Sequence, residues 1–463
     1  MNQIQNITIL NPATGELVGT LPAAGQADAA AAVRSARKAF GDWQRVSPAE
    51  RGSLLKSAAD RVEAAAPDLA ELTTREMGKP IGDALGGVIA GVSTLRQYAE
   101  LGPVHRGKAL QGGWDAIDIM LPGPRGIVAA FTPWNDPVAV SCGLIGAALA
   151  AGNTVIFKPS ERAPHTGMLL AAALAGVLPD AVLQTVIGAA STGAAICEQA
   201  DVDVLAHVGS TRAGRQIAQA AARTGAKVIL ENGGNDALLV DGGVNAEWAA
   251  DQAALGAFAN AGQICTSVER IYVHESIAAA VIDALVSRAK GLRQGNGLDP
   301  RTQLGPLVDA RHRQGVHAQV LDAFERGAEV LCGGSIPPGL GAFYPATVIA
   351  GCSPGMNLMS EETFGPIAPI QIVESMDEAV AHANADAYGL AATVLTSDME
   401  TAQSAWRDLR VGTVKINAVF GGAPGGASHP RGASGAGFGF GPELLDELSA
   451  TKVVHIQPAF ASR

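Results

Sequence analysis

One cysteine and one glutamate have the side chains and surroundings that covalent catalysis needs. Cys265 lies in the segment Gly262-Gln263-Ile264-Cys265-Thr266, and Glu231 follows the apolar run Val228-Ile229-Leu230. A cysteine thiolate attacks carbonyl carbons, and a thioester formed on it needs a base that activates water. Gly262 would leave the backbone approach to the thiolate unhindered, and Glu231 would supply the base. The pair predicts an enzyme that forms and hydrolyses a thioester.

Three other cysteines are expected to be core or surface thiols. Cys142 and Cys197 lie in Ala-rich helical runs, and Cys332 precedes a Gly-Gly turn. A lone cysteine in an apolar stretch usually packs as a small hydrophobic side chain. The sequence has no CxxC pair and its histidines are scattered, so no metal site is predicted.

A second chemical feature is the segment Gly209-Ser210-Thr211-Arg212-Ala213-Gly214, where a strand is expected to pass into a helix. Backbone N–H groups at a helix N-terminus bind phosphate, and the Ser210 hydroxyl could contribute to a pyrophosphate site. The segment lacks the common GxGxxG fingerprint of dinucleotide-binding folds. Taken alone, it could equally be a tight strand-to-helix turn.

Length and composition restrict the class of protein. A chain of 463 residues exceeds a single hydrophobic core, so two or three domains are expected. No run reaches the about 20 apolar residues that a bilayer span requires. The formal net charge of −11 argues against a nucleic-acid partner. The N-terminus lacks signal-peptide features and the cysteine count is odd, which together predict a cytoplasmic protein.

The elements that must position these residues begin with a helical layer. From about Gln26 to Leu101 apolar residues recur at helical spacing. The segment Trp114 to Leu121 then alternates apolar and polar residues, as in a half-exposed strand, and Pro122-Gly123-Pro124 is expected to close it. We expect this strand to project between two domains and to pair with another subunit.

From Arg125 onward, short apolar runs alternate with helical segments, which is typical of parallel sheets covered by helices. The Gly-rich tract 421–441 is expected to be an ordered loop near a site. The predicted strands are 126–131, 154–158, 182–187, 204–208, 227–230, 270–273, 368–373 and 391–395, and the predicted helices are 138–151, 167–176, 277–292 and 311–326.

Further motifs accompany Cys265 and Glu231, and together they resemble the aldehyde dehydrogenase superfamily. They keep the family's order and approximate spacing from about residue 8 to the C-terminus. The motifs are Thr132-Pro133-Trp134-Asn135, Gly152 to Glu161, Gly209 to Gly214, Glu361-Glu362-Thr363-Phe364-Gly365-Pro366, Tyr388-Gly389-Leu390-Ala391 and Ser434-Gly435-Ala436-Gly437.

The resemblance implies an α/β fold with two open parallel-sheet domains, one cofactor-binding and one catalytic, and a small β oligomerisation arm. Residues 1–104 and 125–232 would form the NAD-binding domain, 233–435 the catalytic domain, and 105–124 with 436–463 the arm. A homodimer or homotetramer is expected. Residues 116–121 and 451–456 are short alternating segments whose unpaired strand edges would need a partner.

The resemblance also implies the roles of the site residues. Cys265 is the nucleophile, Glu231 activates the hydrolytic water, and the Asn135 side chain with the Cys265 backbone N–H holds the oxyanion. NAD is the implied cofactor, because a carboxylate at Glu161 would repel the 2′-phosphate of NADP. NADP remains possible, since a rotated Glu161 side chain could still admit it. The implied cofactor-binding residues are Thr132, Trp134, Lys158, Ser160, Glu161, Gly209, Ser210, Gly214, Glu362 and Phe364. Of these, Lys158 and Glu161 would contact the adenosine ribose, and Glu362 and Phe364 would hold the nicotinamide end.

Departures from the family pattern bear on the substrate. Asn232-Gly233-Gly234-Asn235 replaces Leu-Gly-Gly-Lys, the segment 430–435 is altered, and two aromatic positions hold Asp136 and Gly143. We therefore expect a wider entrance and a bulky or (hetero)aromatic aldehyde. A semialdehyde or hydroxyaldehyde is the alternative, and a substrate carboxylate would need a base such as Arg431 or Arg270. The expected substrate pocket consists of Asp136, Val140, Gly143, Ile264 and Thr266.

Two other classes of protein remain as alternatives. An NADP-dependent reductase or a CoA-acylating enzyme on the same fold would bind NADPH or CoA tightly. A non-catalytic relative would be expected to have lost Cys265 or Glu231, and both are present. The acid at position 231 favours the hydrolytic branch, because the acylating, phosphate-dependent and reductive branches generally lack it.

Overall fold

The computed structural model describes residues 6–421, 426–427 and 429–459. The expected ordered loop at 421–441 is therefore described only in part, since 422–425 and 428 lie outside these ranges. The α-helices are α1 (Gln26–Trp43), α2 (Pro48–Ala64), α3 (Ala66–Met77), α4 (Ile81–Val104), α5 (Pro137–Ala150), α6 (Pro164–Ala175), α7 (Ala190–Cys197), α8 (Thr211–Thr224), α9 (Ala246–Phe258), α10 (Glu275–Gly291), α11 (Ala310–Glu325), α12 (Met376–Asn384), α13 (Met399–Asp408) and α14 (Glu443–Glu447).

The strands are short, as in most α/β proteins. They are β1 (Asn6–Leu10), β2 (Leu17–Pro22), β3 (Lys108–Leu110), β4 (Ile117–Pro124), β5 (Ile127–Phe131), β6 (Thr154–Lys158), β7 (Leu183–Thr185), β8 (Val204–Val208), β9 (Lys227–Glu231), β10 (Asp236–Val240), β11 (Val268–His274), β12 (Glu329–Cys332), β13 (Thr347–Ala350), β14 (Ile367–Val373), β15 (Ala391–Leu395), β16 (Thr413–Ile416), β17 (Gly435–Ala436) and β18 (Ser449–Ile456).

Capping residues explain several helix boundaries. The Ser210 side chain accepts a hydrogen bond from the Ala213 N–H at the start of α8, and Gly225 ends that helix in the left-handed conformation. Asn245 and Asp309 cap α9 and α11 in the same way. Where such residues follow a strand closely, the chain turns back onto the sheet with little intervening loop.

The first parallel sheet is built as the alternation of strands and helices predicted. In the described part of the chain its order is β17-β9-β8-β5-β6-β7, with β5 to β9 parallel and β17 antiparallel to β9. Every residue of β5, β6 and β8 is buried, because helices cover both faces of the sheet. Helices α2, α4 and α5 pack on one face, and α1, α7 and α8 pack on the other.

The second sheet has the order β12-β13-β14-β11-β10-β15-β16 within the described residues. All neighbours are parallel except β12, which is antiparallel to β13 at one edge. Its core runs from Ala237 to Val419 and shares no residue with the core of the first sheet. The α/β fold class with two parallel-sheet domains is confirmed.

The third unit is the small sheet β18-β4-β3, and it corrects the prediction for 114–124 in two ways. Trp114 lies outside the strand, and the strand continues through Pro122 to Pro124. The two prolines are tolerated because β3 pairs only with 118–120, so the β3 side of the strand is free beside them. Moreover, 117–124 pairs with 449–456, so these two segments are not both open edges.

The C-terminal segment is divided differently from the expected arm of 436–463. Of its described residues, 436–459, only those of β18 join the arm sheet. Leu444, Leu445 and Leu448 of the α14 region are buried in the core of the first parallel sheet. Gly435 pairs with Glu231 at the end of that sheet. No helix among the described residues is long and apolar enough to cross a membrane.

Candidate active site

The two parallel sheets meet at the expected site. Asn135, Lys158, Gly209 and Glu231 lie at or just beyond the carboxyl ends of strands of the first sheet. In the second sheet the site segments instead precede their strands, since Cys265 stands just before β11. The chain crosses from one sheet to the other between Glu231 and Asp236. Ligands of the first sheet are thus expected where open α/β sheets usually bind them.

A tight turn presents Cys265. Helix α9 ends at Phe258, and a 3₁₀ turn follows in which Asn260 and Ala261 have positive φ angles of 48° and 55°. The fully buried Gln263 fixes this turn, since its amide donates to the Asn260 carbonyl at 3.0 Å and accepts from the Val308 N–H at 2.9 Å. Such left-handed residues persist only where their surroundings hold them.

Gly262 is needed for a reason other than the expected one. Its φ is +72°, and a Cβ at this position would collide with the Gly365 carbonyl oxygen. The glycine therefore permits contact between the Cys265 turn and the loop that carries Glu362 and Phe364. Open access to the thiolate is not what the contact provides.

Asn135 lies against the Cys265 turn. Its side-chain amide is buried and donates to the Gln263 carbonyl at 3.1 Å, which leaves the second amide hydrogen available. Among the described residues, the Cys265 backbone N–H makes no hydrogen bond. The two donors that were expected to hold an oxyanion thus lie in the Cys265 turn and directly against it.

Cys265 is surrounded by carboxyl groups. Burial raises the pKa of its thiol, and the charge of Glu231 adds to this more than those of Asp236, Glu362 and Asp136. The resting side chain is therefore a thiol, and it needs a base to become a thiolate. Lys415 is a cation near this group; burial lowers its pKa, and the negative charge of Asp236 raises it.

Glu231 is covered by the glycine-rich segment near the C-terminus. A Cβ at Gly439 would lie 2.7 Å from the Glu231 carboxylate oxygen, so a larger residue there would displace the carboxylate. Within the described residues the Glu231 carboxylate accepts no hydrogen bond, and burial raises its pKa. A carboxyl group with a raised pKa is well matched to general-base work near neutral pH.

The loop that carries Glu362 and Phe364 is held by a second buried acid, Glu269. Its carboxylate accepts hydrogen bonds from the Thr363 and Phe364 N–H groups at 2.7 and 2.8 Å. Phe364 has a positive φ of 53°, and its carbonyl accepts from His312 Nε2 at 2.7 Å. The sequence reasoning missed Glu269, although a charge beside an apolar strand was a usable signal.

Glu362 and Phe364 face different partners. The Glu362 carboxylate accepts from the Gly234 N–H at 3.1 Å and lies on Gly233, and burial raises its pKa to about 7. The Phe364 ring packs edge-on against Trp134 with ring centroids 5.5 Å apart. Trp134 is in turn covered by the Arg162 guanidinium at 5.4 Å. The expected nicotinamide end of the site is thus an aromatic corner beside a buried acid.

A cleft of about 750 Å³ opens between α7 and α8 at the carboxyl ends of the strands of the first sheet. Lys158 is buried there, 3.6 Å from the Glu161 carboxylate, and burial lowers its pKa while Glu161 raises it. The Ser160 hydroxyl is turned toward the Arg162 N–H at 3.2 Å. The predicted cofactor residues that line the cleft are Thr132, Trp134, Lys158, Ser160, Glu161, Gly209 and Ser210.

Gly214 is not among the residues that line the cleft. A Cβ there would collide with the Asn232 side chain, so Gly214 packs against the end of β9. Thr132 is also less open than expected, since its hydroxyl accepts a hydrogen bond from Ser141 of α5 at 2.9 Å. The cleft has cationic groups that the sequence reasoning did not include, namely Arg162, Arg212, Arg223 and Arg311.

The expected substrate side differs from the prediction at two positions. The Asp136 carboxylate lies 3.5 Å from Lys79, so its charge is neutralised locally. Gly143 does not leave open space, because a Cβ there would touch the Phe440 ring at 3.6 Å. An aromatic wall is therefore present, but the C-terminal segment supplies it. Val140, Ile264 and Thr266 are half-buried.

The two arginines suggested as cationic partners of a substrate carboxylate differ in whether their guanidinium groups are free to bind it. Arg270 is buried, 3.3 Å from Asp386, and donates to the Asn235 carbonyl at 2.8 Å, so its guanidinium is already used. Arg431 is exposed. Lys415, which the sequence reasoning did not single out, is the cation whose pKa responds to Cys265.

Comparison with known proteins agrees with this geometry. A family model described as the aldehyde dehydrogenase family matches residues 1–454. A betaine aldehyde dehydrogenase of Cereibacter sphaeroides is 35% identical over 415 residues, which cover 89% of this chain and 86% of that protein. A probable NADP(+) succinate-semialdehyde dehydrogenase of Sinorhizobium fredii is 34% identical over 419 residues, covering 90% and 85%.

Among solved structures, an NAD-dependent aldehyde dehydrogenase from Sinorhizobium meliloti superposes with a TM-score of 0.96. Its sequence is 35% identical, and the match covers 99% of this chain and 93% of that chain. The likeness thus extends over both parallel sheets and the arm.

Proposed function

Because the chain belongs to the aldehyde dehydrogenase family, we propose that it oxidises an aldehyde to a carboxylic acid with NAD, through covalent catalysis by Cys265. The observation that carries the proposal is the position of three groups around one turn. Glu231 has the largest charge effect on the Cys265 thiol, and the Asn135 amide donates to the residue two before that cysteine in the same turn. This is the set that a thioester mechanism requires.

In the proposed mechanism, the Cys265 thiol loses its proton to solvent water and the resulting thiolate attacks the aldehyde carbon. The second Asn135 amide hydrogen and the free Cys265 N–H stabilise the oxyanion of the thiohemiacetal. Loss of hydride from the thiohemiacetal carbon to the bound cofactor would leave a thioester. Glu231 then takes a proton from the water that hydrolyses this thioester, which releases the carboxylic acid and the Cys265 thiolate, and its raised pKa makes this transfer favourable near neutral pH. The low polarity implied by the burial of both groups strengthens each of these interactions.

The cleft on the first sheet fits a dinucleotide. Its volume of about 750 Å³ lies within the range of small-molecule sites. Lys158 and several arginines line it, which suits a pyrophosphate, and the exposed Glu161 carboxylate can accept hydrogen bonds from a ribose. Bound NAD would supply the hydride acceptor for the oxidation. The solved relative from Sinorhizobium meliloti is described as NAD-dependent, which supports the same cofactor here.

The proposed division of labour predicts a selective defect in Glu231→Gln. A neutral amide can hold water but cannot take its proton, so deacylation should slow by roughly 10²- to 10⁴-fold while the acylation steps are much less affected. Stopped-flow mixing with NAD and aldehyde should show a burst of NADH, followed by a slow steady state. Equal loss of burst and turnover would contradict the assignment of Glu231 as the hydrolytic base.

The substrate proposed first is a bulky or aromatic aldehyde. Val140 and Ile264 are apolar and half-buried, and the Phe440 ring, 38% exposed, offers a surface on which a flat substrate could stack. Because Lys79 pairs with Asp136, the entrance does not carry the free negative charge expected from the sequence. These observations support an apolar body for the substrate.

A semialdehyde is the second candidate, and two observations favour it. Lys415 contributes positive charge near Cys265, and one relative of the chain is named a probable succinate-semialdehyde dehydrogenase. The two candidates are separated by kcat/KM for benzaldehyde, succinic semialdehyde and acetaldehyde. A clear preference for succinic semialdehyde would replace the aromatic proposal without affecting the proposed mechanism.

We further propose that the arm sheet mediates self-association into a dimer or tetramer. Apolar side chains on its two paired strands are exposed, including Ile117 at 59% and Val453 at 65%. One edge of β18 has no neighbouring strand in the described structure. Such an edge is usually covered by a partner. Light scattering at micromolar concentration should give at least twice the mass of one chain, and a monomer would contradict the proposal.

A further inference from the structure

His207 lies at the end of β8 inside the cofactor cleft. It pairs with Phe131 of β5 and Leu230 of β9, so the three side chains share the face of the sheet that α7 and α8 cover. The imidazole is only 7% exposed and lines the cleft together with Lys158 and Ser210. The sequence reasoning gave this residue no role. A histidine among the apolar residues of a buried strand therefore needs an explanation.

The hydrogen bonds of His207 fix its tautomer. Nε2 lies 3.4 Å from the Ser210 carbonyl oxygen, which can only accept, so Nε2 must carry the hydrogen. Nδ1 is then a lone-pair acceptor if the ring is neutral. Nδ1 is buried and has no partner in the described structure. An unpaired buried acceptor costs free energy, which a ligand that donates a hydrogen bond would recover.

The surroundings keep the ring neutral. The pKa of His207 is lowered to about 4, mainly by burial and to a smaller extent by the positive charge of Lys158, while the hydrogen bond to the Ser210 carbonyl acts in the opposite direction. The charged residues that line the cleft with His207 are Lys158, Glu161 and Arg162 at and after the end of β6, Glu198 just after α7, Arg212 and Arg223 on α8, and Arg311 on α11. At pH 7 the imidazole is therefore uncharged, and its Nδ1 would repel a phosphate oxygen. It suits a hydroxyl or amino donor.

We propose that His207 is a cofactor-binding residue whose Nδ1 accepts a hydrogen bond from an O–H or N–H group of the adenosine half of the dinucleotide. The proposal rests on the proposed use of NAD. The adenosine half is favoured because His207 lies in the cleft close to Lys158, which is expected at the adenosine ribose, whereas the aromatic corner of Trp134 and Phe364 is the expected nicotinamide end. Ribose hydroxyls and the adenine amino group are the donors available there.

The test uses His207→Phe, which keeps a flat ring but removes the acceptor, and His207→Asn, whose side-chain oxygen can stand near the Nδ1 position. NADH binding is measured by fluorescence titration, with ADP-ribose as a competitor that lacks nicotinamide. We expect His207→Phe to weaken both ligands by roughly 5- to 20-fold and His207→Asn to stay within about 3-fold of wild type. Comparing NADH with its hypoxanthine analogue, which lacks the amino group, identifies the donor.

Controls separate this inference from the proposed function. His317 lies outside the cleft with its Nδ1 already 3.0 Å from the Tyr344 hydroxyl, so His317→Phe should leave NADH binding unchanged. Thermal melts check that the variants are folded. Unchanged NADH affinity in His207→Phe would overturn the role of His207, as would equal losses in the Phe and Asn variants. Failure of the wild-type protein to bind NADH would instead overturn the proposed cofactor.

Discussion

The turn that carries Cys265 and the cleft between α7 and α8 are organised in opposite ways. The turn is held by the chain itself, through the buried Gln263 amide and two residues with positive φ. In the cleft, the Lys158 ammonium has only the Pro159 carbonyl and Glu161 as close partners, and His207 Nδ1 has none in the described structure. The nucleophile is positioned before any ligand binds, whereas the cleft keeps hydrogen-bonding capacity for one.

The largest expected effect is a loss of aldehyde oxidation that leaves the cofactor cleft unchanged. Cys265→Ala should reduce aldehyde oxidation by roughly 10³-fold or more, because no other group can form the thioester. NADH binding should change little, since the cleft does not depend on the thiol. The matched control is Cys332→Ala, a half-buried cysteine on the edge strand β12. Retention of more than a few per cent of activity in Cys265→Ala would rule out covalent catalysis by this residue.

The second prediction concerns Asp236, a buried acid whose charge also raises the pKa of the Cys265 thiol. Asp236 Oδ1 accepts from the Ala391 N–H at 3.0 Å, while Oδ2 is buried without a partner among the described residues. Burial raises the Asp236 pKa to about 8. An unfolded aspartic acid ionises near pH 4, so between about pH 4 and 8 the folded state holds the extra proton and the free energy of unfolding falls as pH rises.

Asp236→Asn should therefore remove this pH dependence. The amide keeps the acceptor for Ala391 but has no proton to lose. At pH 8.5 the variant should be more stable than the wild type by about 1–3 kcal/mol, with a smaller difference at pH 5. Urea denaturation at several pH values measures the effect. Parallel stability curves for the two proteins would show that Asp236 does not titrate as described.

The smallest expected effect lies in the cleft. Glu161→Gln removes the carboxylate that would repel a 2′-phosphate and leaves the Lys158 ammonium without its neighbour at 3.6 Å. The kcat/KM for NADP should rise by roughly 10-fold, while that for NAD falls by a few-fold. Glu198→Gln, in the same cleft but not paired with Lys158, is the control. An unchanged NADP/NAD ratio in Glu161→Gln would mean that this carboxylate does not set cofactor preference.

The fold was readable from the sequence where local patterns decide it. Buried strands such as 154–158 and 204–208 were predicted with the observed boundaries, because continuous apolar runs between turn residues specify them. The strand at 117–124 was misjudged at both ends. Its extent depends on pairing with 449–456, a contact across more than three hundred residues that no local pattern contains.

Candidate site residues could likewise be named from short motifs, but the contacts that those residues make could not. Short motifs predicted roles for Cys265, Glu231 and Asn135. In the structure the Asn135 amide donates to Gln263 of the Cys265 turn, and the charge of Glu231 acts on the Cys265 thiol. Motifs did not reveal that Phe440 fills the space beside Gly143 or that Asn232 packs on Gly214. The first contact joins segments almost three hundred residues apart, and in both contacts one partner, Gly143 or Asn232, stands where the family pattern is altered. Departures from a motif show that a contact has changed without showing what replaces it.

The close approach of Gly262 to the Gly365 carbonyl has a consequence for engineering this chain. The backbone of the turn before Cys265 and the backbone of the loop after Phe364 touch without any side chain between them, so neither can shift alone by more than a fraction of an ångström. Grafting either segment from a relative would leave a gap or a collision. Variants designed to transfer substrate specificity from a relative should therefore exchange residues 259–266 and 361–366 together.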